Sequence, residues 1–188
     1  MTQYTADKVT ILFTGGAEND IIYGEQGQGT IYGNDGDDTI YGGSGGSYGN
    51  SYKIRVIYGG GGNDHIIGGT KNDEIHGGEG NDTIFGGDGA DTILGGAGAD
   101  ILRGGNEFDY IMGNEGNDYI SGDFGGNFLF GGNNDDLIFG GDEDDLIEGD
   151  GEIYNTDIYH YDERYKNNSG NDHLFGGAGV DTFKGGER

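Results

Sequence analysis

The fold of this chain is decided by three consecutive nine-residue segments near its middle. They read Gly77-Gly-Glu-Gly-Asn-Asp-Thr-Ile-Phe85, then Gly86-Gly-Asp-Gly-Ala-Asp-Thr-Ile-Leu94, then Gly95-Gly-Ala-Gly-Ala-Asp-Ile-Leu-Arg103. Each segment has glycine at positions one, two and four, aspartate at position six and an aliphatic residue at position eight. A fixed short period of this kind indicates a repeat architecture, in which each unit is completed by its neighbours.

The same pattern extends outward over most of the sequence. Sixteen units of the form G-G-x-G-x-D-x-U-x, with U apolar, can be placed between Gly15 and Lys184. Position six is aspartate in thirteen of them, and the exceptions are Gly29, Asn127 and an interrupted fourth unit. A flexible Gly-rich linker has no reason to keep one position apolar, so the pattern indicates a folded repeat. The position-eight residues are Ile22, Ile31, Ile40, Ile57, Ile66, Ile75, Ile84, Ile93, Leu102, Ile111, Ile120, Leu129, Ile138, Ile147, Leu174 and Phe183.

Each position of the unit has a physical reason. Positions one to six suit a turn, because glycine accepts positive φ and allows a close backbone approach. Positions seven to nine suit a short strand whose middle side chain faces inward. Two units then complete a coil of eighteen residues, and stacked coils form two parallel sheets around a thin core of Ile and Leu. The sequence therefore predicts an all-β fold.

Composition restricts the chemistry of any site. The 188 residues include no cysteine, and 35 acidic against 9 basic residues give a net charge of -26. Without thiolates and with excess carboxylate, the chain favours a hard cation bound by oxygen. Such an acidic surface repels nucleic acid and anionic membranes. The segment from Met1 to Asp7 is polar, so neither a cleaved signal peptide nor a membrane span is predicted.

The nonapeptide resembles the RTX (repeat-in-toxin, hemolysin-type) calcium-binding repeat, and the resemblance covers about nine-tenths of the chain. It implies a parallel β-roll (a β-solenoid) of about sixteen units, with two sheets and calcium-binding turns on both edges. In this family each Ca²⁺ lies between neighbouring turns of one edge. It is bound there by both position-six carboxylates and by carbonyl oxygens of the turns.

Carried over to this chain, the resemblance implies about eight or more Ca²⁺ ions. Gly29 leaves the first even-edge gap weak or empty, and the two gaps beside Asn127 lack one charge. Because the stacked carboxylates repel one another without the ions, folding and calcium binding are expected to be one event. Odd-numbered units place Asp20, Asp38, Asp64, Asp82, Asp100, Asp118 and Asp136 on one edge, even-numbered units place Asp73, Asp91, Asp109, Asn127 and Asp145 on the other, and Asp172 and Asp181 extend both.

No other motif points to catalysis. The chain has no Gly-Lys dipeptide for a phosphate loop, and its fragments that resemble an EF-hand loop lack the flanking helices and the bidentate glutamate. The histidines His65, His76, His160 and His173 have no zinc-ligand spacing. Aspartate and glutamate are abundant for structural reasons, so no catalytic pair stands out. We therefore predict that the chain is not an enzyme.

Two segments interrupt the repeat. They are an insertion near 44–55 and an inserted loop over 149–168. The chain is therefore predicted to consist of an N-terminal capping strand over residues 1–14, a roll over 15–148 that contains the first interruption, the inserted loop, and final units over 169–188. The second interruption equals one coil in length, so a degenerate coil is the alternative to a loop. Both are either tolerated surface loops or recognition elements, and they hold Tyr48, Tyr52, Lys53, Arg55, Tyr154, Tyr159, Tyr161, Arg164, Tyr165 and Lys166.

Late units carry apolar residues at the outward positions seven and nine. Such a surface predicts either a partner or self-association site, or packing under a flanking loop. These residues are Tyr110, Met112, Phe128, Phe130, Leu137, Phe139 and Leu146.

Two functions follow from the resemblance. The first is an exported, calcium-dependent structural or adhesive module, with a cell-surface or glycan ligand. The alternative is the accessory calcium-binding module of a larger secreted enzyme or toxin. Family members leave the cell by a type I route with an uncleaved C-terminal signal, which implies an extracellular or cell-surface location. This sequence departs from that pattern because it ends at Arg188, soon after the last unit.

Overall fold

The computed structural model of the protein describes residues 3–4, 10–24, 28–44, 54–149, 173–178 and 182–184. Within these ranges the chain is all β, and no helix there is able to cross a membrane. The strands are β1 Gln3–Tyr4, β2 Thr10–Thr14, β3 Ile21–Tyr23, β4 Gln28–Asp35, β5 Thr39–Gly43, β6 Arg55–Gly61, β7 His65–Gly69, β8 Asp73–Glu79, β9 Thr83–Asp88, β10 Thr92–Ala97, β11 Ile101–Asn106, β12 Tyr110–Glu115, β13 Tyr119–Phe124, β14 Phe128–Asn133, β15 Leu137–Asp142, β16 Leu146–Glu148, β17 His173–Ala178 and β18 Thr182–Lys184.

The strands alternate between two parallel sheets of nine strands each. The odd sheet contains β1, β3 and so on to β17, and the even sheet contains β2 to β18 in the same way. Each strand pairs with the next strand but one in the chain, so two units make one coil. Leu102, for example, lies opposite Ile84 in one neighbouring coil and Ile120 in the other. The predicted parallel two-sheet solenoid is confirmed, and β3 to β18 correspond to the sixteen units.

The position-eight side chains form the core, in one row for each sheet. Each is at most 2% exposed from the first to the fourteenth unit. Phe13 extends the core at one end and Leu174 packs against it at the other. Because each strand contributes a single large apolar side chain, burial depends on the coil above and the coil below.

The strands are longer than predicted. β9, Thr83–Asp88, covers positions seven to nine of one unit and positions one to three of the next. The turn is therefore confined to positions four to six. The strand continues because the position-two glycines pair across coils, as Gly78 does with Gly96. Both have positive φ, of 125° and 123°, which bends the strand without ending it.

The N-terminal segment contributes two strands instead of the single capping strand expected. β1 pairs with β3 in the odd sheet and β2 pairs with β4 in the even sheet. This segment therefore begins both sheets. β1 has only two residues, Gln3 and Tyr4. Two residues are too few to show an alternation of apolar and polar side chains, so the sequence pattern does not reveal this strand.

Both interruptions leave the pairing of neighbouring coils intact. Thr39 lies opposite His65, and Leu137 lies opposite His173. Since β15 pairs directly with β17, no further strand stands between them in the odd sheet. Most of the tyrosines and bases assigned to the interruptions lie outside the described residues. Arg55 is the exception, and it lies within β6.

Candidate metal centres

The position-six aspartates of the odd-numbered units form a continuous row. The backbone N–H of each donates to Oδ1 of the aspartate in the following coil, and we call such a row an inner ladder. Six hydrogen bonds of 2.8–2.9 Å join Asp20, Asp38, Asp64, Asp82, Asp100, Asp118 and Asp136 in this order. The structure thus brings together all seven residues that the sequence analysis placed on this edge.

A second inner ladder runs along the opposite edge. Asp73 N–H donates to Asp91, and Asp91 N–H to Asp109, each at 2.8 Å. Asn127 continues the row, because its Oδ1 accepts from Asp109 N–H at 2.9 Å and its own N–H donates to Asp145 Oδ1 at 2.7 Å. The remaining two predicted residues, Asp172 and Asp181, lie outside the described residues.

In seven inner-ladder aspartates Oδ1 accepts the ladder hydrogen bond, whereas Oδ2 accepts none. All seven side chains are at most 2% exposed, and they belong to Asp38, Asp64, Asp82, Asp91, Asp100, Asp109 and Asp118. A buried carboxylate oxygen without a partner is strongly unfavourable. Several in a row therefore indicate that cations are needed beside them.

The position-one glycines show where oxygens converge. A Cβ atom added at Gly77 would collide with Oδ2 of Asp82 and with the carbonyl oxygen of Gly95 in the next coil. Equivalent oxygens, one from the aspartate of the same unit and one from the glycine of the next coil, lie beside Gly59, Gly86 and Gly95. Glycine at position one is therefore required by the space that a carboxylate and a carbonyl oxygen share. This combination of donors suits Ca²⁺, which binds carboxylate and main-chain carbonyl oxygen.

The pKa values of the inner-ladder aspartates follow from the same surroundings. Burial raises the pKa of Asp91 to about 8 and those of Asp82, Asp100 and Asp109 to about 7. The hydrogen bond from a backbone N–H opposes this shift, and neighbouring carboxylates add to it for Asp82 and Asp91. Without a cation, the fold therefore favours protonated carboxyl groups along both edges.

Asn127 shows what a ladder residue does when it carries no charge. Its Nδ2 stands beside Gly122, where an aspartate in another unit places Oδ2, and donates to the carbonyl oxygen of Gly125 at 2.7 Å. An ionised aspartate has no proton to offer there. In this unit an N–H group of the side chain therefore donates to the turn carbonyl oxygen, which in the other units is available to a cation.

Arg55 corrects the sequence analysis, which placed it in an interruption with no role in the repeat. It lies opposite Asp73 in the pairing of β6 with β8, and so occupies position six of the fourth unit. Arg55 is only 5% exposed. Its Nη1 donates to the carbonyl oxygens of Gly43 at 3.2 Å and Gly68 at 3.0 Å. Asp73 Oδ1 is 3.9 Å away. The sequence analysis missed this residue because the extra residues before it hide its position in the period.

Position five carries an outer ladder that the sequence analysis also missed. Asn63 N–H donates to Asp37 Oδ1, Asn81 N–H to Asn63 Oδ1 and Ala99 N–H to Asn81 Oδ1, each at 2.7 Å. These bonds point along the stack in the opposite direction to those of the inner ladder. The frequent Asn and Asp residues at position five are the feature of the sequence from which this ladder could have been predicted. The outer ladder holds adjacent turns together without using the inner carboxylates.

The candidate metal sites are built mainly from the main chain. Within the described residues, no group of three or more His, Cys, Asp or Glu side chains is arranged to hold a metal ion. Eight gaps between coils instead offer two ladder carboxylates each, together with carbonyl oxygens of the turns. His76 Nε2 lies 2.9 Å from Glu74 Oε1 on the outer surface, away from the ladders.

The comparison with known families agrees with this geometry. The model of the RTX calcium-binding nonapeptide repeat matches residues 14–48, 58–93, 94–129, 121–152 and 168–187. These segments contain every predicted ladder residue, including Asp172 and Asp181. No curated protein matches the sequence. With the family model matched over most of its length, this chain belongs to the family of RTX calcium-binding nonapeptide repeat proteins.

Proposed function

We propose that this chain is a calcium-dependent structural module in which Ca²⁺ fills the gaps of both inner ladders and thereby completes the fold. The observation that carries the proposal is the row of buried Oδ2 atoms without hydrogen-bond partners. Neighbouring strands lie about 4.8 Å apart, and at an effective dielectric of about 20 two charges at that distance repel by roughly 3 kcal/mol. Cations between the coils convert this repulsion into attraction.

The proposed number of ions follows from the ladders. The odd edge has six gaps with an aspartate on both sides. The even edge has two such gaps, between Asp73 and Asp91 and between Asp91 and Asp109. This makes eight sites with two carboxylates each. The gaps on either side of Asn127 offer one carboxylate and are expected to bind more weakly, and Asp172 and Asp181 would add further sites.

A calcium titration tests this function. The protein is freed of calcium and titrated while its β-sheet signal is followed by circular dichroism. We expect a cooperative gain of β structure with Ca²⁺ and a much weaker response to Mg²⁺, whose small octahedral shell suits carbonyl-rich turns poorly. Full β structure in excess chelator at low salt, unchanged by added calcium, would refute the proposal.

The outer surface favours an adhesive role for the folded module. Several aromatic side chains are exposed on late coils, among them Phe124 at 57% and Phe175 at 50%. Phe139 stacks on Phe175 with ring centroids 5.0 Å apart, and Tyr119 lies 5.4 Å from Phe139. A row of aromatic rings suits a glycan or a protein partner. We therefore propose an exported module that presents this face at the cell surface once calcium is bound.

The second candidate is an accessory calcium-binding module of a larger secreted enzyme or toxin. This candidate has the same calcium-binding ladders as the first, but the folded module supports a larger protein instead of binding a ligand at the cell surface. Screening the calcium-loaded protein against glycan arrays and cell surfaces distinguishes the two. Binding that is lost on Phe175→Ala, with the calcium-induced fold intact, supports adhesion. Absence of any ligand for the loaded protein favours the accessory role.

A further inference from the structure

The even-edge inner ladder contains one cation of its own. In the gap between units four and six, the guanidinium of Arg55 contacts the carbonyl oxygens of Gly43 and Gly68 and lies 3.9 Å from Asp73 Oδ1. A carbonyl oxygen from each of two adjacent coils and a ladder carboxylate therefore meet one positive group. These are the kinds of oxygen that the proposed function assigns to Ca²⁺ in the other gaps.

The glycine at position one of the fourth unit shows that the guanidinium stands within the same cradle. A Cβ atom added at Gly42 would meet Arg55 Nη1 and the carbonyl oxygen of Gly68. At Gly59 and Gly77 the corresponding atoms are an aspartate Oδ2 and the carbonyl oxygen of the next coil. A cationic nitrogen thus replaces the unpaired carboxylate oxygen at this one place among the described turns.

Resting on the proposed function, we propose that Arg55 takes the place of a calcium ion between units four and six, so that this gap is closed by the chain itself and binds no Ca²⁺. The charges agree with this assignment. The gap holds one carboxylate, from Asp73, and one guanidinium, so an added divalent ion would meet a neutral pair instead of two negative groups. On the other side, Thr30 pairs with Val56, which leaves Gly29 in line with Arg55, and glycine adds no carboxylate.

This assignment divides the even edge into two parts. Units two, four and six are held by backbone pairing and by Arg55, whatever the calcium concentration. The calcium-dependent part begins with the gap between Asp73 and Asp91, whose ladder hydrogen bond measures 2.8 Å. The odd edge has no such substitute, since its position-six residues from Asp20 to Asp136 are all aspartates. The early coils are therefore expected to be the part of the roll that least requires calcium.

Counting bound ions tests the proposal directly. Arg55→Asp gives the gap two carboxylates, and native mass spectrometry of the folded, calcium-loaded protein should show one more Ca²⁺ than in the wild type. Arg103→Gln is the control, because it removes a positive charge at a residue whose side chain is 48% exposed on the outer face and adds no second carboxylate beside its partner Asp123. The control should keep the wild-type count. Equal counts in wild type and a folded Arg55→Asp variant overturn the proposal.

A second variant decides the matter if Arg55→Asp fails to fold. Arg55→Gln removes the charge while keeping a hydrogen-bond donor, and it should raise the unfolding equilibrium constant about tenfold at saturating calcium, as expected for a lost buried ionic hydrogen bond. Its ion count should equal that of the wild type. Unchanged stability in urea would overturn the proposal. If the wild type itself binds no calcium, the proposed function fails instead, so the two failures are distinguishable.

Discussion

The backbone N–H of Asp82 donates a hydrogen bond of 2.8 Å to Oδ1 of Asp100, which lies directly above it in the next coil. This bond fixes the Asp100 carboxylate, while its Oδ2 stays buried without a hydrogen bond. The two oxygens of one side chain therefore have separate tasks. One aligns the coils through the main chain, and the other is available to a cation.

Removing one charge in the middle of the odd edge should cost two calcium sites, and removing one at its end should cost one. Asp100 borders two gaps and Asp20 borders one within the ladder. Asparagine is the suitable replacement, because Asn127 already shows that an amide Oδ1 can accept the ladder hydrogen bond. Asp100→Asn should therefore weaken two sites and Asp20→Asn one, as counted by isothermal calorimetry. Equal losses would contradict the two-edge register.

The converse change at Asn127 should have opposite effects at low and high calcium. Asn127→Asp removes the Nδ2 group that donates to the carbonyl oxygen of Gly125 at 2.7 Å. It places a carboxylate oxygen beside that carbonyl oxygen, and the two repel each other. The ion-free protein should be less stable by about 1–3 kcal/mol, the cost of an unsatisfied buried polar group. With calcium, both flanking gaps gain a second carboxylate and stability should rise above that of the wild type. Urea unfolding at two calcium concentrations measures both signs, and a change of the same sign in both would count against this account.

Two glycines of the fifth unit provide a matched test of the turn. Gly59→Ala places a methyl group against Asp64 Oδ2 and the carbonyl oxygen of Gly77, so we expect a loss of about 3 kcal/mol or more and a weaker calcium response. Gly61→Ala meets nothing closer than Asp35 Oδ1 at 3.7 Å and does not need positive φ. It should be neutral or stabilise by up to about 1 kcal/mol. Thermal unfolding with calcium compares the two. Similar effects at both positions would mean that glycine is needed only for its flexibility.

Most of the fold was predictable because a repeat protein is nearly one-dimensional. Once the register of eighteen residues is known, Ile84 must lie between Ile66 and Leu102, and Asp82 between Asp64 and Asp100. Each unit repeats the same information, so the period determines the core rows and both inner ladders together. No long-range pairing had to be guessed.

What the sequence did not reveal is local and chemical. Arg55 has the opposite charge to every other ionisable position-six residue and follows extra residues, so pattern matching reads it as an interruption. Its role appears only when β6 is set against β8. Likewise, the composition of position five does not say that Asn63 and Asn81 bond to the main chain of the next coil. Such features depend on where side-chain atoms point, which periodicity does not specify.

Acid should replace calcium in part. Burial raises the pKa of Asp91 to about 8 and of Asp100 to about 7 in the ion-free fold, above the value of about 3.9 for an unfolded chain. A raised carboxyl pKa stabilises the fold at low pH: this contribution is complete below about pH 4 and is lost as pH rises to the folded pKa values of about 7 to 8. In calcium-stripped buffer, β structure should therefore increase as pH falls from about 8 to about 5, which stays above the isoelectric point of 4.1.

The calcium affinity should change in the opposite direction, because protons and Ca²⁺ compete for the same carboxylates. Binding is expected to weaken as pH falls through the same window. Circular dichroism across pH without calcium, paired with calorimetric titrations at pH 8 and pH 6, measures both effects. An ion-free protein that loses β structure on acidification would show that ladder repulsion does not control its folding.

Two deletions of equal length separate the insertion from the residue that follows it. Unit four is eight residues longer than the others, and β6 begins at Arg55. Deleting 45–52 restores a nine-residue unit and keeps Arg55 at position six. Deleting 48–55 also restores nine residues but moves Ser47 into position six.

Both sheets pair across the insertion, and shortening a loop changes closure entropy little. The first deletion should therefore fold with calcium as the wild type does. The second should be less stable by about 2 kcal/mol, because it lacks the buried guanidinium and its hydrogen bonds to Gly43 and Gly68. Urea unfolding at saturating calcium compares the pair. Equal stability would show that Arg55 contributes nothing to the roll, and failure of both would show that the inserted residues themselves are required for folding.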